Sequence, residues 1–262
     1  MNERPGISAS VITFNEEANI RDCLESVTFA DEIMVVDSFS TDRTLDIARE
    51  FTDRILEHEY VNSAAQKNWA IPQATHPWVL IVDADERVTP GLRDEIREVL
   101  AADGPLDGYW LRRRNVFLGR EIRFSGLQND RVLRLFRRDR GRYETKHVHA
   151  SLLVDGRTRE FRHPLLHYSF RSLEDELVKI RRYGTWGAED SLEKGIRPTS
   201  RHLFWNPVCT FLHNYFLRGG FRDGRHGLIL CLYQAFGVFH KYARLWEIRR
   251  TTDDSPANPS HQ

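Results

Sequence analysis

The chain has only three cysteines in 262 residues, Cys23, Cys209 and Cys231, and no Cys-x-x-Cys pair. So odd and scattered a set supports neither a disulfide framework nor a zinc ribbon. The opening residues, Met1-Asn2-Glu3-Arg4-Pro5-Gly6, lack the apolar core of a secretory signal. No apolar run reaches the roughly 20 residues that a membrane-spanning helix requires. The longest, Leu228 to Phe239, is interrupted by Gln234. These absences predict a cytoplasmic chain that touches a membrane at most from one side. Nucleotide-site signatures are missing too, with no GxxxxGK(S/T) loop to cradle phosphates and no GxGxxG after the first strand. Neither GxSxG nor HExxH occurs, so serine-hydrolase and zinc-protease chemistry have no support.

What is present is unevenly placed. Lys+Arg and Asp+Glu both number 38, yet residues 1–100 carry 9 basic and 20 acidic side chains, and residues 101–262 carry 29 and 18. Five of the 38 basic residues are lysines, so the second half is arginine-rich. An acidic half beside a basic half suggests a cation-dependent site and a surface for anions, although dispersed charge on one surface would give the same counts.

Up to about Leu100 the pattern alternates strand and helix. Ser8 to Thr13, Glu32 to Val36, a short stretch near Ile55 and Trp78 to Val82 read as strands. Helices are predicted with Ile20, Leu24 and Val27 on one face, with Leu45, Ala48 and Phe51 inward behind Ser40-Thr41-Asp42 as capping residues, and from Asn62 to Ala74. Thr89-Pro90 opens a further helix. This alternation predicts an α/β fold with a mostly parallel sheet, whose ligand lies at the carboxyl ends of the strands. Tyr109 to Val116, Arg131 to Phe136 and His147 to Leu152 are further β candidates, with Gly119 to Asn129 a loop. From Leu173 the pattern is helical.

Each main strand of the first half ends in polar residues: Thr13-Phe14-Asn15-Glu16-Glu17, then Asp37-Ser38, then Asp83-Ala84-Asp85. Carboxylates delivered to one sheet edge repel unless a cation or several donors stand among them. Asp-x-Asp at a strand end supplies hard oxygen ligands for Mg²⁺ or Mn²⁺ sharing its shell with a diphosphate. Lys67, the one lysine in the first hundred residues, is a candidate phosphate contact or a solvated helix lysine. His147 and His149 alternate, so one strand face would present both. His149 is a candidate metal ligand or phosphate contact, against the commoner outcome of a surface or core histidine.

Three segments, Ser10-Val11-Ile12-Thr13-Phe14-Asn15-Glu16-Glu17, Val35 to Asp42 and Val82-Asp83-Ala84-Asp85-Glu86, resemble the motifs of family 2 glycosyltransferases of the GT-A fold. Gln128-Asn129-Asp130 before Arg131 to Arg138, and the ending Lys241 to Glu247, resemble the branch containing bacterial lipopolysaccharide core glycosyltransferases. That branch has glutamate after its Val-His pair; here Val148-His149 is followed by Ala150. The resemblance implies a Rossmann-like catalytic domain over 1–170, with a nucleotide-sugar half at 7–100 and an acceptor half at 101–170. A helical region at 171–250 and a disordered tail at 251–262 complete the predicted organisation.

The resemblance also implies an inverting transfer from a nucleotide-diphosphate sugar, most often with uridine, to a lipid-linked or lipopolysaccharide-core glycan. Asp37 would then bind base or ribose, and Thr13, Asn15 and Glu17 would shape the base pocket. Asp83 would face the ribose or the metal's water, and Asp85 would ligate the metal. A sugar hydroxyl needs a general base. Asp130 is the candidate, unless it pairs with Arg131 or Arg134; Asp139 and Glu144 are the lesser choices.

The last helices interleave aromatics with arginines, which suits the surface of an anionic bilayer, a helical core or a homodimer seam. The arginine clusters lack the exposed aromatics of a single-strand platform, so nucleic acid is not an expected partner. Two rival readings remain open, a sugar-phosphate nucleotidyltransferase and a non-catalytic sugar-nucleotide-binding membrane scaffold.

Overall fold

The computed structural model describes residues 4–145, 151–170 and 172–253. Its first strands are Ile7–Thr13 (β1), Glu32–Asp37 (β2), Ile55–Glu57 (β3) and Trp78–Asp83 (β4), separated by helices Ile20–Ser26 (α1), Thr44–Ala48 (α2) and Ser63–Ala70 (α3). All four run parallel in the order β3-β2-β1-β4. Beyond β4 the sheet changes character. Glu86–Val88 (β5) is followed by helix Pro90–Ala102 (α4) and by Gly108–Phe117 (β6), Arg120–Ile122 (β7) and Arg131–Arg137 (β8). Gly141–Tyr143 (β9), Leu152–Val154 (β10), Thr158–Glu160 (β11) and Leu165–Phe170 (β12) come next. β8 pairs antiparallel with both β4 and β6, and the path continues through β12 to β5. The sheet is therefore mixed, parallel on the side read from the strand–helix alternation and largely antiparallel on the other.

Burial explains why the parallel strands read as continuous apolar runs. In β4, Trp78, Leu80 and Val82 pack with Ile20, Leu24, Leu92 and Ile96 on one face of the sheet. Val79 and Ile81 meet Ala64, Ile71, Leu133 and Phe136 on the other. A strand covered on both sides has no polar face to show.

Caps set the helix starts. Thr89 Oγ1 accepts from Leu92 N at 3.3 Å with Pro90 as the first helical residue of α4, and Asn62 Oδ1 accepts from Ala65 N at 2.9 Å at α3. At α2 the expected capping residues divide, Asp42 Oδ1 accepting from Thr44 N at 2.9 Å. Arg43 stands at its N-cap with no side-chain bond, and Ser40 instead turns back to Asp37.

Glu95 on α4 fixes the turn that feeds β12. It accepts from the backbone N–H of Arg162 at 3.0 Å and of His163 at 2.8 Å, and from the Arg162 side chain at 3.0 Å. Burial alone would raise its pKa, but these donors outweigh it and hold the carboxyl near about 2. The stabilisation is thus complete above the ordinary glutamate range and is lost as pH falls towards 2. Glu95→Gln is expected to flatten the fall in stability between about pH 4.5 and 2, read from urea midpoints across that window.

By internal contacts the chain forms two compact units, residues 1–115 with 129–169, and residues 116–128 with 170–262. The second contains Leu173–Glu193 (α5), a helical segment from Arg201 to Leu217 whose middle is Asn206–Leu212 (α6), a short turn Gly220–Asp223, and Gly224–Asp253 (α7). Asp223, buried, accepts from Arg123 N at 3.1 Å, Phe124 N at 2.9 Å and Ser125 Oγ at 3.0 Å. The stretch expected to be a loop from Gly119 to Asn129 instead opens with the short strand β7 and is pinned by that carboxylate. Gly227 lets α7 begin directly beside the turn, because a Cβ there would sit 2.0 Å from the Gly220 carbonyl oxygen.

Candidate active site

Strand register gathers the acidic residues. In the β1–β2 pair Thr13 stands opposite Asp37, and in the β1–β4 pair Ile12 stands opposite Asp83. Neighbouring strands lie about 4.8 Å apart, so Asp37 and Asp83 flank the end of β1 at about 10 Å from each other.

Asp37 is fully buried. Its carboxylate accepts from Ser40 N at 2.7 Å and Ser40 Oγ at 2.5 Å. Asn15 and Glu17 bind the loop after β1 to the loop after β2. Thr41 N donates to Asn15 Oδ1 at 2.8 Å, Asn15 N to Ser40 Oγ at 2.8 Å and Arg43 N to Glu17 Oε2 at 3.1 Å. Asn15 and Phe39 both adopt left-handed backbone, with φ of 52° and 62°. Asparagine tolerates that region and phenylalanine does so rarely, so the loop pair holds Phe39 in a strained turn. Phe14 and Phe39 are left 50% and 55% exposed on these two loops. The Thr13 hydroxyl is buried and has no hydrogen-bond partner among the described residues.

A chain of ion pairs runs away from Asp83. Lys67 Nζ lies 2.8 Å from Asp83 Oδ1, and Arg134 donates to Asp83 Oδ2. Burial works against the charged carboxyl, yet Arg134 and Lys67 outweigh it and hold it far below the usual range. Arg134 Nη2 also donates to Glu86 Oε1 at 2.7 Å, and Asp83 N donates to Glu86 Oε2 at 2.9 Å. Arg113 stands 3.6 Å from Glu86 and grips Asp130 with two bonds, 3.0 Å from Nε and 2.8 Å from Nη2. Lys67 is therefore a buried partner of Asp83 rather than a solvated helix lysine, and Asp130 is paired with Arg113 rather than with Arg131 or Arg134. Burial pushes the Asp130 carboxyl up, and the Arg113 bonds and charge bring it below its ordinary value.

The last links of this chain were not legible in the sequence. Asn115 Nδ2 donates to Asp130 Oδ2 at 2.9 Å, and Asn115 Oδ1 lies 2.6 Å from His167 Nδ1. His167 Nε2 in turn lies 3.5 Å from Asp85 Oδ2. A carboxylate only accepts, so it orients the Asn115 amide with nitrogen towards Asp130 and oxygen towards His167. That oxygen accepts from His167 Nδ1, and the ring then turns Nε2 towards the Asp85 carboxylate. A carboxylate oxygen and an imidazole nitrogen are donor types that Mg²⁺ or Mn²⁺ takes, and the hydrogen bond from His167 Nδ1 to Asn115 Oδ1 is the kind that orients a ligating histidine.

Among the described residues no group of three or more His, Cys, Asp or Glu is assembled for a metal, so this pair would need oxygens from a ligand or water. His149 lies outside the described residues. His167 carried little signal, being one of 11 histidines and 82 positions beyond Asp85. Only the alternation of Leu165 to Phe170, with His167 on the face of Leu165, could have marked it.

A mixed sheet whose parallel strands end in Asp37 and Asp83-Ala84-Asp85, with an antiparallel half bringing Asp130 and His167 to them, is the architecture of GT-A glycosyltransferases. Residues 8–154 match the family model described as glycosyl transferase family 2, and the chain belongs to that family. The lipopolysaccharide core biosynthesis glycosyltransferase LpsC of Rhizobium meliloti (strain 1021) is 33% identical over 248 residues, covering 92% of each chain. An uncharacterized glycosyltransferase of Rickettsia bellii (strain RML369-C) is 26% identical over 263 residues, covering 92% of this chain and 86% of that one. Among solved structures, the mannosyltransferase PcManGT from Pyrobaculum calidifontis, in complex with GDP-Man and Mn2+, aligns with a TM-score of 0.52. It shares 18% identity over 97% of this chain and 89% of that one, a likeness of fold. This protein is an enzyme, a family 2 glycosyltransferase homologous to a lipopolysaccharide core enzyme.

Proposed function

We propose that the enzyme moves a sugar, with inversion, from a nucleotide-diphosphate sugar with uridine as the base to a lipid-linked or lipopolysaccharide-core glycan at the inner face of the membrane. The observation that carries the metal site is the Asp130–Asn115–His167–Asp85 relay, which sets the Asp85 carboxylate beside the His167 ring. The complex of PcManGT with GDP-Man and Mn2+ supports a metal and a sugar nucleotide for this fold. Thr13, Asn15, Glu17 and Asp37 bind the nucleoside. The buried Thr13 hydroxyl and the exposed rings of Phe14 and Phe39 offer a hydrogen bond and flat apolar faces there.

Asp85 and His167 hold Mg²⁺ or Mn²⁺, which when bound offsets charge on the departing diphosphate. Asp83, locked by Lys67 and Arg134, faces the ribose, and Lys67 turns a remaining N–H towards a phosphate oxygen. His149 is kept as a candidate for the same ion or the diphosphate. Asp130 takes the proton of the acceptor hydroxyl at Oδ1, the oxygen that accepts one bond from Arg113 while Oδ2 accepts two. Its lowered pKa makes it a weak base for a free alcohol. Proton transfer therefore falls late, when bond formation to the sugar has made the hydroxyl acidic.

The test is transfer from a panel of UDP- and GDP-sugars to extracted core glycolipid with Mn²⁺. Asp130→Asn is expected to lower kcat about 10²–10⁴-fold. An unchanged kcat would move the base elsewhere.

A further inference from the structure

The helical segment from Arg201 to Leu217 is inverted with respect to an ordinary surface helix. None of its residues is buried. An amphipathic helix on a globular protein turns its apolar stripe to the core and its charges to water. Here Phe204, Trp205, Leu212, Phe216 and Leu217 are exposed, Leu217 to 80%. The backbone departs from regular α-helix at both ends. Pro207 has no N–H to give, and Asn206 N donates five residues back to Arg201 O. Arg218 N likewise reaches His213 O at 2.8 Å.

Charge says what meets this surface. From Gly195 to Trp246 the sequence holds seven basic residues and a single carboxylate, Asp223. That carboxylate is buried, bound to the amides of Arg123 and Phe124 and to the Ser125 hydroxyl. The exposed face of the stretch therefore carries no acidic side chain. Arg197 and Arg201 stand at one end of the helix and Arg218, Arg222 and Arg225 at the other, all exposed. A second copy of this face would set arginines against arginines with no carboxylate to answer them, and a symmetric contact makes that unavoidable. An anionic lipid surface supplies both an apolar layer and the missing negative charge. No helix among the described residues is long and apolar enough to cross a membrane, so the contact is from one side.

We propose that Arg201–Leu217 lies in the plane of an anionic bilayer. Trp205, Leu212, Phe216 and Leu217 enter the boundary between headgroups and acyl chains, and the arginines at both ends meet lipid phosphates. This deepens the reading of a lipid-linked acceptor and rests on it, by naming the element that brings the enzyme to its substrate.

The experiment is flotation of the full chain with vesicles of phosphatidylglycerol and phosphatidylethanolamine, and with phosphatidylcholine alone. Wild type is expected to float with the first and hardly with the second. Trp205→Ser with Leu217→Ser should lower binding at least about ten-fold, with the thermal unfolding midpoint unchanged, because these side chains leave water only at the membrane. Arg197→Gln and Arg201→Gln should each cost about five-fold on the anionic vesicles. Equal flotation of wild type and the Trp205/Leu217 variant would overturn the proposal. So would loss of binding in Phe236→Ser with Phe239→Ser on α7 instead, or a solution dimer that Trp205→Ser dissociates. Titration of the same preparations with UDP- and GDP-sugars reads the transfer hypothesis separately. Floating protein that takes up no sugar nucleotide would refute the donor and leave the surface standing.

Discussion

Asp85→Asn is expected to reduce sugar transfer about 10³-fold or more while the protein stays folded. The proposed ion contributes several kcal/mol of charge stabilisation to the departing diphosphate, and an amide oxygen without formal charge holds it poorly. The fold is not at risk, because Asp85 also anchors β12 through its backbone, accepting from Tyr168 N at 2.8 Å, and that bond survives the change. Asn115→Leu is the companion variant. It keeps Asp85 and His167 but removes the amide that fixes the imidazole tautomer, and Mn²⁺ affinity should fall about 10–100-fold. Calorimetric titration of Mn²⁺ in the presence of UDP checks both. Normal metal uptake and transfer by Asp85→Asn would remove the proposed site.

Arg134→Met should destabilise the protein by about 3–5 kcal/mol, measured as a shift of the urea midpoint at constant slope. Glu86 is fully buried and Asp83 mostly so, and one guanidinium answers both. Removing it leaves the buried Glu86 with Arg113 at 3.6 Å, and the partly exposed Asp83 with Lys67 as its near cation. A second change, Glu86→Gln in the Arg134→Met background, removes one stranded charge and should recover part of the loss. The pH dependence follows the same sign. Asp83 titrates below its unfolded value, so its contribution is present above the ordinary aspartate range and lost in acid. In Arg134→Met that acid-dependent part should shrink, since one of the two cations that lower the Asp83 pKa is gone and Lys67 alone remains.

The parallel half of the fold was legible because its signals are local. Trp78 to Val82 read as a buried strand from five adjacent apolar residues, and Thr89-Pro90 marked the start of α4 from two. Asp37 and Asp83 stood out because each directly follows such a run, and Asp85 because it completes Asp-x-Asp with Asp83. Ser40 shows where local reading stops. As a helix-capping residue it was plausible, yet its hydroxyl and amide both serve Asp37, and the competition between these uses is settled by the register of β1 against β2.

His167 and Asn115 had no local mark, and Arg113 stood out only within the run Arg112-Arg113-Arg114, a candidate phosphate grip that the structure pairs with Asp130 instead. Their meaning comes from β6, β8 and β12 lying side by side, three strands far apart in sequence. Asp130 was readable as a carboxylate before a strand, but its partner is Arg113, seventeen positions upstream across the β6–β8 pair. Asp223 reaches back about a hundred residues to Arg123 and Phe124 in the same way.

By itself the sequence determined the parallel α/β half, the placing of carboxylates at its strand ends, and an arginine-rich, aromatic second half almost without acids after Gly195. Those properties follow from nearest-neighbour periodicity and composition, which one chain displays in full. Tertiary structure alone decided which cation answers each carboxylate, which histidine faces Asp85, and that the apolar side of Arg201–Leu217 looks outward. Such pairings depend on strand order and helix docking, and these arise from burial summed over the whole chain rather than from any one segment.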